Sequence, residues 1–584
     1  MFAKSTGKIN KDKFFTFSFF ASDIFAVGEF LLKSHFSKNS TVLPLCVFAL
    51  KINRKQNGVR CNIRNMPVKS NQNLRELLEK RAAENAGKTF LFSEADGREW
   101  TYSEFDRAIN RAANMLAENG VKKGDVVSLL MPNSGEYIIA YFACFKIGAI
   151  AGPINSLLKP EEIAYALNDS EAKTLLVNSQ FQDAIDEIGG GAAHLQNIIQ
   201  FDDEAETTKD FSEKLIETSI EPDDEAIIIY TSGTTGKPKG CLLTHRNLIA
   251  NARQITEWLG FDENDRLLTV MPLFHMNAVS VTTMTALYAS ASTVVSPKFS
   301  ASKFWQIISD YKITSFGSVA TMLSRLLQNY ELRGNENPKS EVQSSEEKNP
   351  KSESLRFAMC GSAPVPAEVL KRFEETFGCL VIEGYGLSES TCRSTFNPPN
   401  SNRKPGSCGS PIGNEMKIFD DEDREVPDGN TGEIVLRGEN IFKGYFKNQT
   451  ATAKAFRSGW FHTGDIGYKD ADGFFYIIDR KSDMIIRGGE NIYPREIDEL
   501  LYAHPAVAAA AVIGVPDAIY GEEVAAFVVL KDGAEASERE LIEYCRSHLA
   551  GYKCPKSFHF VPDIPKGPTG KLLKRELSKL YFPK

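Results

Sequence analysis

The stretch TSGTTGKPKG at residues 231–240 combines hydroxyls, glycines and lysines in a pattern that suits phosphate binding. Backbone N–H groups and side-chain hydroxyls of such a loop can wrap a polyphosphate by hydrogen bonding. The P-loop pattern G-x-x-x-x-G-K-[ST] does not match. Thr231 stands where the first glycine should be, and Pro238 follows Lys237 where a hydroxyl for Mg²⁺ is needed. The loop is therefore predicted to hold phosphate in another way.

The candidate phosphate ligands of this loop are its hydroxyls, a glycine and a lysine. They are Thr231, Ser232, Gly233, Thr234, Thr235 and Lys239.

A second motif, IEGYGLSES at residues 382–390, places a carboxylate after a glycine-rich turn. A hard cation such as Mg²⁺ prefers carboxylate and phosphate oxygens together, so Glu389 is a candidate metal ligand. The two motifs occur in the order found in the adenylate-forming superfamily, which includes acyl-CoA synthetases, nonribosomal peptide adenylation domains and firefly-luciferase-like enzymes. The sequence resembles this superfamily over residues 75–580.

The resemblance implies that the first loop clamps the β- and γ-phosphates of ATP, which leave together as pyrophosphate. In the second motif, Glu383 and Gly384 belong to the nucleotide site, Tyr385 stacks near adenine, Ser388 reaches the α-phosphate and Glu389 holds Mg²⁺. The missing P-loop hydroxyl is then accounted for, because attack falls on the α-phosphate.

Further nucleotide contacts follow from the same resemblance. The CGSAPVP stretch provides Gly361, Ser362 and Ala363 as an adenine-side loop. Asp465 is expected to accept hydrogen bonds from the ribose hydroxyls, and Arg480 to contact ribose or phosphate. A carboxylate suits a vicinal diol.

The reacting groups are also implied by the resemblance. His275, in MPLFHMNAV, is expected beside the reacting carboxylate, and Lys571, in GPTGK, to bridge that carboxylate and the α-phosphate. A positioned cation in a water-poor site stabilises developing negative charge. Gly488 and Gly489 resemble the loop that lines the path of the CoA pantetheine after a domain rotation.

The elements that must position these residues alternate between helical patterns and short apolar runs from about residue 74 onward. Such alternation indicates parallel sheets covered by helices. We predict a large α/β N-terminal domain of stacked, helix-covered sheets over residues 66–478 and a small, mobile α+β C-terminal domain over 484–584. A hinge at 479–483 joins them, with Ser482 at the pivot position where the superfamily mostly has Asp or Lys.

Two segments depart from this pattern. Residues 333–355 are polar and nearly devoid of aliphatic side chains, which predicts a disordered surface insertion. Residues 1–65 are basic and acid-poor, and we expect this leader to be disordered or to lie outside the fold, with the domain beginning near Met66. A targeting presequence is the alternative. No run there is long and uncharged enough to span a bilayer.

Composition narrows the function class. A net charge of −8 argues against a dedicated nucleic-acid binder, and 42% hydrophobic with 25% charged residues is ordinary for a globular protein. The ten cysteines include no C-x-x-C pair, which favours reduced thiols and a cytoplasmic protein over a disulfide framework or zinc site. Organelle targeting stays open through the leader, and oligomeric state is undetermined.

The resemblance to the adenylate-forming superfamily implies an AMP-forming acyl-CoA ligase whose partners are a small carboxylic acid, ATP with Mg²⁺, and CoA. A fatty acid is the first expectation for the acid, with medium-chain, aryl or carnitine-like acids as alternatives. An adenylation enzyme that loads a carrier protein is a rival, disfavoured because no aspartate for an α-amine lies near His275 and no carrier domain follows Lys571. A non-catalytic nucleotide-binding protein is a further alternative.

Overall fold

The computed structural model describes residues 72–231, 238–336, 353–362, 365, 367–566 and 572–582, all within the unit Ser70–Lys584. The predicted leader 1–65 lies outside the described residues. Among the residues that the structure describes, no helix has the length and apolar character of a bilayer span. Some predicted site residues also lie outside the described ranges: Ser232, Gly233, Thr234, Thr235, Ala363 and Lys571.

The strands are numbered in chain order. They are β1 (Thr89–Ser93), β2 (Glu99–Thr101), β3 (Val126–Leu130), β4 (Ile150–Pro153), β5 (Thr174–Val177), β6 (Asn197–Gln200), β7 (Glu225–Thr231), β8 (Lys239–Thr244), β9 (Arg266–Thr269), β10 (Ser292–Val295), β11 (Ser315–Ser318), β12 (Phe357–Cys360), β13 (Leu380–Glu383), β14 (Thr395–Phe396), β15 (Ser410–Pro411), β16 (Glu415–Phe419), β17 (Gly432–Arg437), β18 (Gly444–Tyr445), β19 (Phe456–Arg457), β20 (Trp460–Lys469), β21 (Phe475–Arg480), β22 (Ile485–Arg487), β23 (Glu490–Ile492), β24 (Val507–Asp517), β25 (Gly521–Leu530) and β26 (Ser557–Phe560).

The helices are numbered in the same way. They are α1 (Leu74–Glu84), α2 (Tyr102–Glu118), α3 (Gly135–Ile147), α4 (Pro160–Asp169), α5 (Gln182–Ile188), α6 (Glu204–Thr207), α7 (His245–Leu259), α8 (Thr285–Tyr288), α9 (Phe304–Asp310), α10 (Ala320–Glu336), α11 (Ala367–Phe377), α12 (Gln449–Ala455), α13 (Pro494–Tyr502), α14 (Glu538–His548) and α15 (Lys574–Tyr581), with a π-helix over Asn277–Met284.

Two seven-stranded, largely parallel sheets make up the N-terminal α/β region, which confirms the predicted fold class. Their strand orders are β13-β12-β11-β9-β10-β1-β2 and β18-β8-β7-β4-β3-β5-β6. Helix α3 contacts strands of both sheets, and each of its residues is buried. Apart from the ion-paired Glu136 and Lys146, its side chains are mostly apolar on every side, as is typical of a helix inside a core. Helix α3 therefore joins the two sheets into one apolar cluster.

The C-terminal domain is a separate small α+β unit. Its sheet has the order β23-β22-β25-β24, with β26 paired to β25, and its buried residues form clusters distinct from the N-terminal core. An antiparallel sheet of β16, β17, β20, β19 and β21 precedes it. The last strand of this sheet, β21, ends at Arg480, so the predicted hinge 479–483 begins within the final two residues of that strand.

The flanks of the predicted insertion are ordered, contrary to the expected bounds of 333–355. Helix α10 continues to Glu336, and Ser354 donates a 2.9 Å hydrogen bond to the carbonyl of Ile313. Leu355 packs against the N-terminal core. These contacts offset the ordering entropy of the flanking residues. The interior of the insertion, residues 337–352, lies outside the described residues.

Candidate active site

The carboxyl ends of β13, β12, β11 and β9, which are adjacent and parallel, form one edge of the first sheet. The loops that leave this edge carry His275 after β9, Gly361 after β12 and residues 384–389 after β13. Ligands of open α/β sheets bind at such edges because residues distant in sequence are gathered there. Three of the predicted motifs therefore meet at one edge.

The phosphate loop joins antiparallel β7 and β8 of the second sheet, and Thr231 pairs with Lys239 at its base. Strand β18 pairs with the other side of β8 and places Tyr445 beside Cys241. The Lys239 ammonium lies 5.2 Å from the centre of the Tyr445 ring, a distance at which an aromatic face attracts a cation. A cation is thus fixed at the base of the predicted phosphate loop.

The Glu389 carboxylate links the two sheets. Glu389 follows β13 of the first sheet, while its Oε1 accepts a 3.0 Å hydrogen bond from the Tyr445 hydroxyl beside the second sheet. The backbone carbonyl of Glu389 accepts a hydrogen bond from the Phe442 N–H at 2.8 Å. Burial raises the pKa of Glu389, and a bound cation would favour the ionised form.

A hydrogen-bonded chain of Tyr385, Asp465 and Arg480 lies beside this carboxylate. Asp465 Oδ2 accepts a 2.6 Å hydrogen bond from the Tyr385 hydroxyl, and Asp465 Oδ1 lies 3.1 Å from Arg480 Nε. The Asp465 carboxylate raises the pKa of Arg480, and burial raises the pKa of Tyr385. Each Asp465 oxygen keeps a lone pair, so both remain able to accept hydrogen bonds from a diol.

Glu383 and Gly384 have packing roles at the end of β13. Glu383 Oε2 accepts a 3.0 Å hydrogen bond from the Gly406 N–H, and burial raises the pKa of Glu383 to about 7. A Cβ on Gly384 would lie 2.7 Å from the Thr395 carbonyl oxygen. Only glycine fits this close approach. Their contact with nucleotide stays a prediction.

The adenine-side loop begins at Gly361, directly after β12. Ser362 has a φ of 71°, a left-handed conformation that is strained for a residue with a side chain and that is found often at functional sites. Ala363 lies outside the described residues. The start of this loop therefore has a backbone suited to a binding role.

His275 lies just before the π-helix, a helix type that is frequent at functional sites. Burial lowers the pKa of His275 to about 4, so its ring is neutral near pH 7. Its Nε2 is buried with no hydrogen-bond partner among the described residues, as are both side-chain polar atoms of Asn277. Buried polar groups are normally hydrogen-bonded, so these atoms are available to hydrogen-bond a ligand or solvent.

Ser388 and the glycine turn occupy different domains. Ser388 begins the 3-10 turn Ser388–Ser390, one residue before Glu389. Gly488 and Gly489, with φ values of 59° and 92°, form the turn between β22 and β23. The Gly488 N–H donates a 2.9 Å hydrogen bond to the Tyr520 carbonyl, within the C-terminal domain. Ser388 thus lies with the nucleotide residues, whereas the glycine turn packs within its own domain.

Sequence reasoning did not identify Tyr445, Asn277 or Arg393. Arg393 is only 1% exposed, and its Nε and Nη2 have no hydrogen-bond partner within the described residues. It stands in a run of small residues, STCRST, with no periodicity to mark it. The proximity of Arg393 to the motif at 382–390 was the available signal.

A two-domain α/β fold with a nucleotide-type site between its sheets defines an adenylate-forming enzyme. The chain belongs to the AMP-binding enzyme family: residues 78–446 match the AMP-binding enzyme domain and residues 496–571 match the AMP-binding enzyme C-terminal domain.

Relatives of the chain include sulfoacetate–CoA ligase of Cupriavidus necator, which is 35% identical over 86% of this chain and 97% of that protein. Long-chain-fatty-acid–CoA ligase FadD13 of Mycobacterium tuberculosis is 34% identical over 82% of this chain and 93% of that protein. O-succinylbenzoate coenzyme A synthetase (MenE) of Bacillus subtilis, solved in complex with ATP and magnesium ion, has a TM-score of 0.76 and 34% identity, with 87% of this chain and 100% of that chain covered.

Proposed function

We propose that this protein is an AMP-forming acid–CoA ligase that works in two half-reactions. In the first, a carboxylate oxygen attacks the α-phosphate of ATP, giving acyl-adenylate and pyrophosphate. In the second, the CoA thiol attacks the acyl carbonyl and AMP leaves. The observation that carries the proposal is the hydrogen-bonded chain of Tyr385, Asp465 and Arg480 beside Glu389, in a member of the AMP-binding enzyme family.

The nucleotide contacts are proposed as follows. Asp465 accepts hydrogen bonds from the ribose hydroxyls with its remaining lone pairs, because Tyr385 and Arg480 already fix its orientation. Lys239 compensates phosphate charge at the base of the loop, and Ser388 contacts the α-phosphate, a role supported by its position one residue before Glu389. The other proposed nucleotide contacts come from the phosphate loop and the adenine-side loop: Thr231, Ser232, Gly233, Thr234, Thr235, Gly361, Ser362, Ala363, Glu383 and Gly384.

The residues present fit Mg²⁺. Mg²⁺ in nucleotide sites takes one or two carboxylates, with phosphate oxygens and water completing its shell. Glu389 supplies one partly buried carboxylate, of which Tyr445 engages Oε1, and no cluster of three His, Cys, Asp or Glu ligands occurs in the described part of the chain. When bound, Mg²⁺ neutralises phosphate charge. Tyr445 orients the carboxylate that would hold it.

The hinge fits a change of domain position between the two half-reactions. Asp479 accepts a 2.8 Å hydrogen bond from the Arg495 N–H at the start of α13, whereas Arg480 pairs with Asp465 of the N-terminal side. Ser482 hydrogen-bonds only its neighbour Asp483 among the described residues. We propose that rotation near Ser482 exchanges Lys571 for the Gly488–Gly489 turn at the site, because no side-chain bond of Ser482 opposes it.

Two classes of acid are candidates. A fatty acid, the expectation from sequence, is supported by the FadD13 relative and by a mainly apolar groove of about 690 Å³ that includes Phe274 and Met322. A small acid with a second charge is supported by the sulfoacetate–CoA ligase relative and by the buried guanidinium of Arg393. Loading of a carrier protein in place of CoA remains the rival second step.

The test is acid-dependent exchange of labelled pyrophosphate into ATP across a panel of carboxylic acids, followed by CoA consumption. Exchange with at least one non-amino acid and thioester formation with free CoA are expected. Exchange with amino acids alone, or thioester formation on a carrier protein and not on CoA, would contradict the proposal. A complete lack of exchange would favour a non-catalytic nucleotide-binding protein.

The variant Lys571→Ala separates the half-reactions. We expect loss of adenylation by about 10²-fold or more, because a positioned cation no longer meets the developing phosphoryl charge. Thioester formation from preformed acyl-adenylate should stay within a few-fold of wild type. Lys579→Ala, an exposed lysine of α15, is the matched control. Equal loss of both half-reactions in Lys571→Ala would contradict the proposed exchange at the hinge.

We also propose a cytoplasmic location, with organelle targeting through residues 1–65 as the alternative. A fluorescent fusion of the full chain and of a variant that begins at Met66 distinguishes them. Loss of an organelle signal on removal of residues 1–65 would contradict the cytoplasmic proposal.

A further inference from the structure

Three polar residues near the nucleotide site have buried polar atoms with no hydrogen-bond partner within the described residues. The residues of the nucleotide site, in contrast, hydrogen-bond one another. His275 Nε2, both polar atoms of the Asn277 side chain, and Arg393 Nε and Nη2 share this property. We call His275, Asn277 and Arg393 the acyl cluster. No carboxylate of the described residues forms an ion pair with the Arg393 guanidinium.

The Arg393 guanidinium lies directly against Gly361. A Cβ on Gly361 would stand 2.4 Å from Arg393 Nη1 and 2.6 Å from its central carbon, so glycine is needed to make room. The guanidinium carbon also lies 5.5 Å from the centre of the Phe396 ring. A cation–π contact compensates little of the cost of removing a charge from water. The geometry leaves the charge buried and largely uncompensated.

Asn277 and Arg393 lie on one face of the first sheet. Gly317 of β11 pairs with Met359 of β12, and Gly361 follows two residues later, with its N–H directed to the Ser318 carbonyl. Because side chains alternate along a strand, Gly317, Met359 and Gly361 face the same side. Asn277 packs on Gly317, with its Oδ1 2.6 Å from the Cβ position.

The position of Arg393 is fixed by its backbone. The carbonyl of Arg393 accepts a 2.6 Å hydrogen bond from Asn251 Nδ2, and the Arg393 N–H donates to Asn251 Oδ1 at 3.2 Å. Asn251 Oδ1 also accepts a 3.0 Å hydrogen bond from Ser280 of the π-helix. Helix α7 therefore ties Arg393 to the helix that begins at Asn277. The position of the Arg393 backbone is therefore set by hydrogen bonds within the protein.

We propose that the acyl cluster binds an anionic group at the far end of the acid substrate, so that the enzyme activates one carboxylate of a short acid bearing a second carboxylate or a sulfonate. This inference rests on the proposed ligase function. A planar guanidinium matches carboxylate and sulfonate oxygens through paired hydrogen bonds, and the Asn277 amide adds a donor. A fatty acid offers none of these groups a partner.

The acid must be short. Arg393 is four residues after Glu389, and four residues span at most about 14 Å when fully extended. The 3-10 turn Ser388–Ser390 and the φ of 67° at Thr391 shorten this path. We therefore infer that the reacting carboxylate and the far anionic group of the acid are separated by less than this extended span.

The test compares each candidate acid with a neutral partner of the same shape. The carboxylate pairs are oxalate with oxamate, malonate with malonamate and succinate with succinamate, and the sulfonate pair is sulfoacetate with sulfamoylacetate. Hexanoate and palmitate complete the panel. Pyrophosphate exchange is expected to favour the doubly charged member of at least one pair by about 100-fold in kcat/KM, as for other buried charge pairs. The pair that responds identifies carboxylate or sulfonate.

Variants assign the preference to Arg393. Arg393→Met should reduce the preference to a few-fold, mainly through KM for the acid, and Arg393→Lys should retain part of it. Arg539→Met, an exposed arginine of α14, should behave as wild type. Stabilisation by ATP alone reports that each variant folds.

Absence of any pair preference in the wild-type enzyme, with exchange supported by fatty acids, would overturn the inference and leave the ligase proposal standing. Equal losses for both members of a pair in Arg393→Met would also overturn it, because Arg393 would then act only through packing. Exchange with none of these acids or any other would instead count against the ligase proposal.

Discussion

The nucleotide cluster, formed by Tyr385, Glu389, Asp465 and Arg480, and the acyl cluster both include residues that follow strands of the first sheet. They differ in how their polar groups are satisfied. In the nucleotide cluster the groups hold one another: Asp465 accepts from Tyr385 and pairs with Arg480, and Glu389 accepts from Tyr445. In the acyl cluster the groups lack partners among the described residues.

This difference indicates a division of labour. A site whose charged groups already pair with one another binds its ligand without rearranging, since these groups are already oriented. Buried polar groups without partners instead give specificity, because a ligand that cannot hydrogen-bond to them leaves them unsatisfied and binds less tightly. We infer that the nucleotide cluster serves ATP in any reaction of the enzyme, whereas the acyl cluster selects the acid.

The largest expected effect comes from Asp465→Asn, which disrupts the ion pair of the nucleotide cluster. The change removes the charge of Asp465, the buried member of the pair with the partly exposed Arg480. We expect kcat/KM for ATP to fall by about 10² to 10³-fold, in line with the 2–5 kcal/mol cost of truncating one partner of a hydrogen-bonded charge pair. Pyrophosphate exchange at varied ATP measures this.

Tyr385→Phe is the control for Asp465→Asn, because it removes one hydrogen bond and keeps the Asp465–Arg480 pair. Its loss should be about 10-fold or less. If Tyr385→Phe were as damaging as Asp465→Asn, the charge pair would not be the main contributor on this side.

Glu383, two residues before Tyr385, tests whether buried charge beside the nucleotide cluster is fully stabilised by neighbouring groups. Burial raises the pKa of Glu383 from 4.5 to about 7. Below about pH 4.5 the carboxyl is neutral in both folded and unfolded states; between there and about pH 7 the unfolded state ionises first, so stability falls as pH rises. Glu383→Gln should remove this fall, gaining about 2 to 3 kcal/mol over wild type between about pH 5 and pH 8.

The thermal midpoint of the nucleotide-free enzyme across this pH range measures the Glu383 effect. Glu118→Gln, at an exposed position at the end of α2, should track wild type at every pH. If the thermal midpoint of Glu383→Gln changed with pH in the same way as that of wild type, this carboxyl would ionise freely in the folded protein.

Gly361→Ala tests the acyl cluster by displacing the Arg393 guanidinium. The new Cβ would stand 2.4 Å from Arg393 Nη1, so the guanidinium must move. We expect KM for the preferred acid to rise by about 10-fold, a cost of about 1.4 kcal/mol, with KM for ATP unchanged within about 2-fold. KM for ATP should change little because the proposed nucleotide contact of Gly361 is made by its backbone, which the substitution keeps. A parallel rise in both KM values would show that Gly361→Ala does not act mainly through the guanidinium.

The smallest effect is expected from Tyr445→Phe, which removes the hydrogen bond to Glu389 and keeps the ring beside Lys239. Adenylation should fall about 3 to 10-fold, the loss of roughly one hydrogen bond. Tyr445→Ala also removes the ring and should lose more. Equal losses in the two variants would show that the Lys239 contact contributes nothing.

The residues of the nucleotide cluster could be proposed from sequence because each lies in a recognisable motif, and their contact with nucleotide stays a prediction. Tyr385, Ser388 and Glu389 stand within one stretch, and the alternation of apolar strands with helices predicted the parallel sheets whose ends gather them. The end of the disordered insertion was not predicted, because Leu355 is stabilised by packing against a core assembled from distant segments.

The sequence by itself determined the family, the two-domain organisation and the phosphate and carboxylate motifs, since these depend on local patterns. The tertiary structure alone decided which buried groups are satisfied. Tyr445 meets Glu389 because β18 pairs with β8, and Arg393 is left unpaired because Asn251 of α7 fixes its backbone against Gly361. Hydrogen-bond satisfaction depends on distances between segments far apart in the chain, which no local pattern encodes.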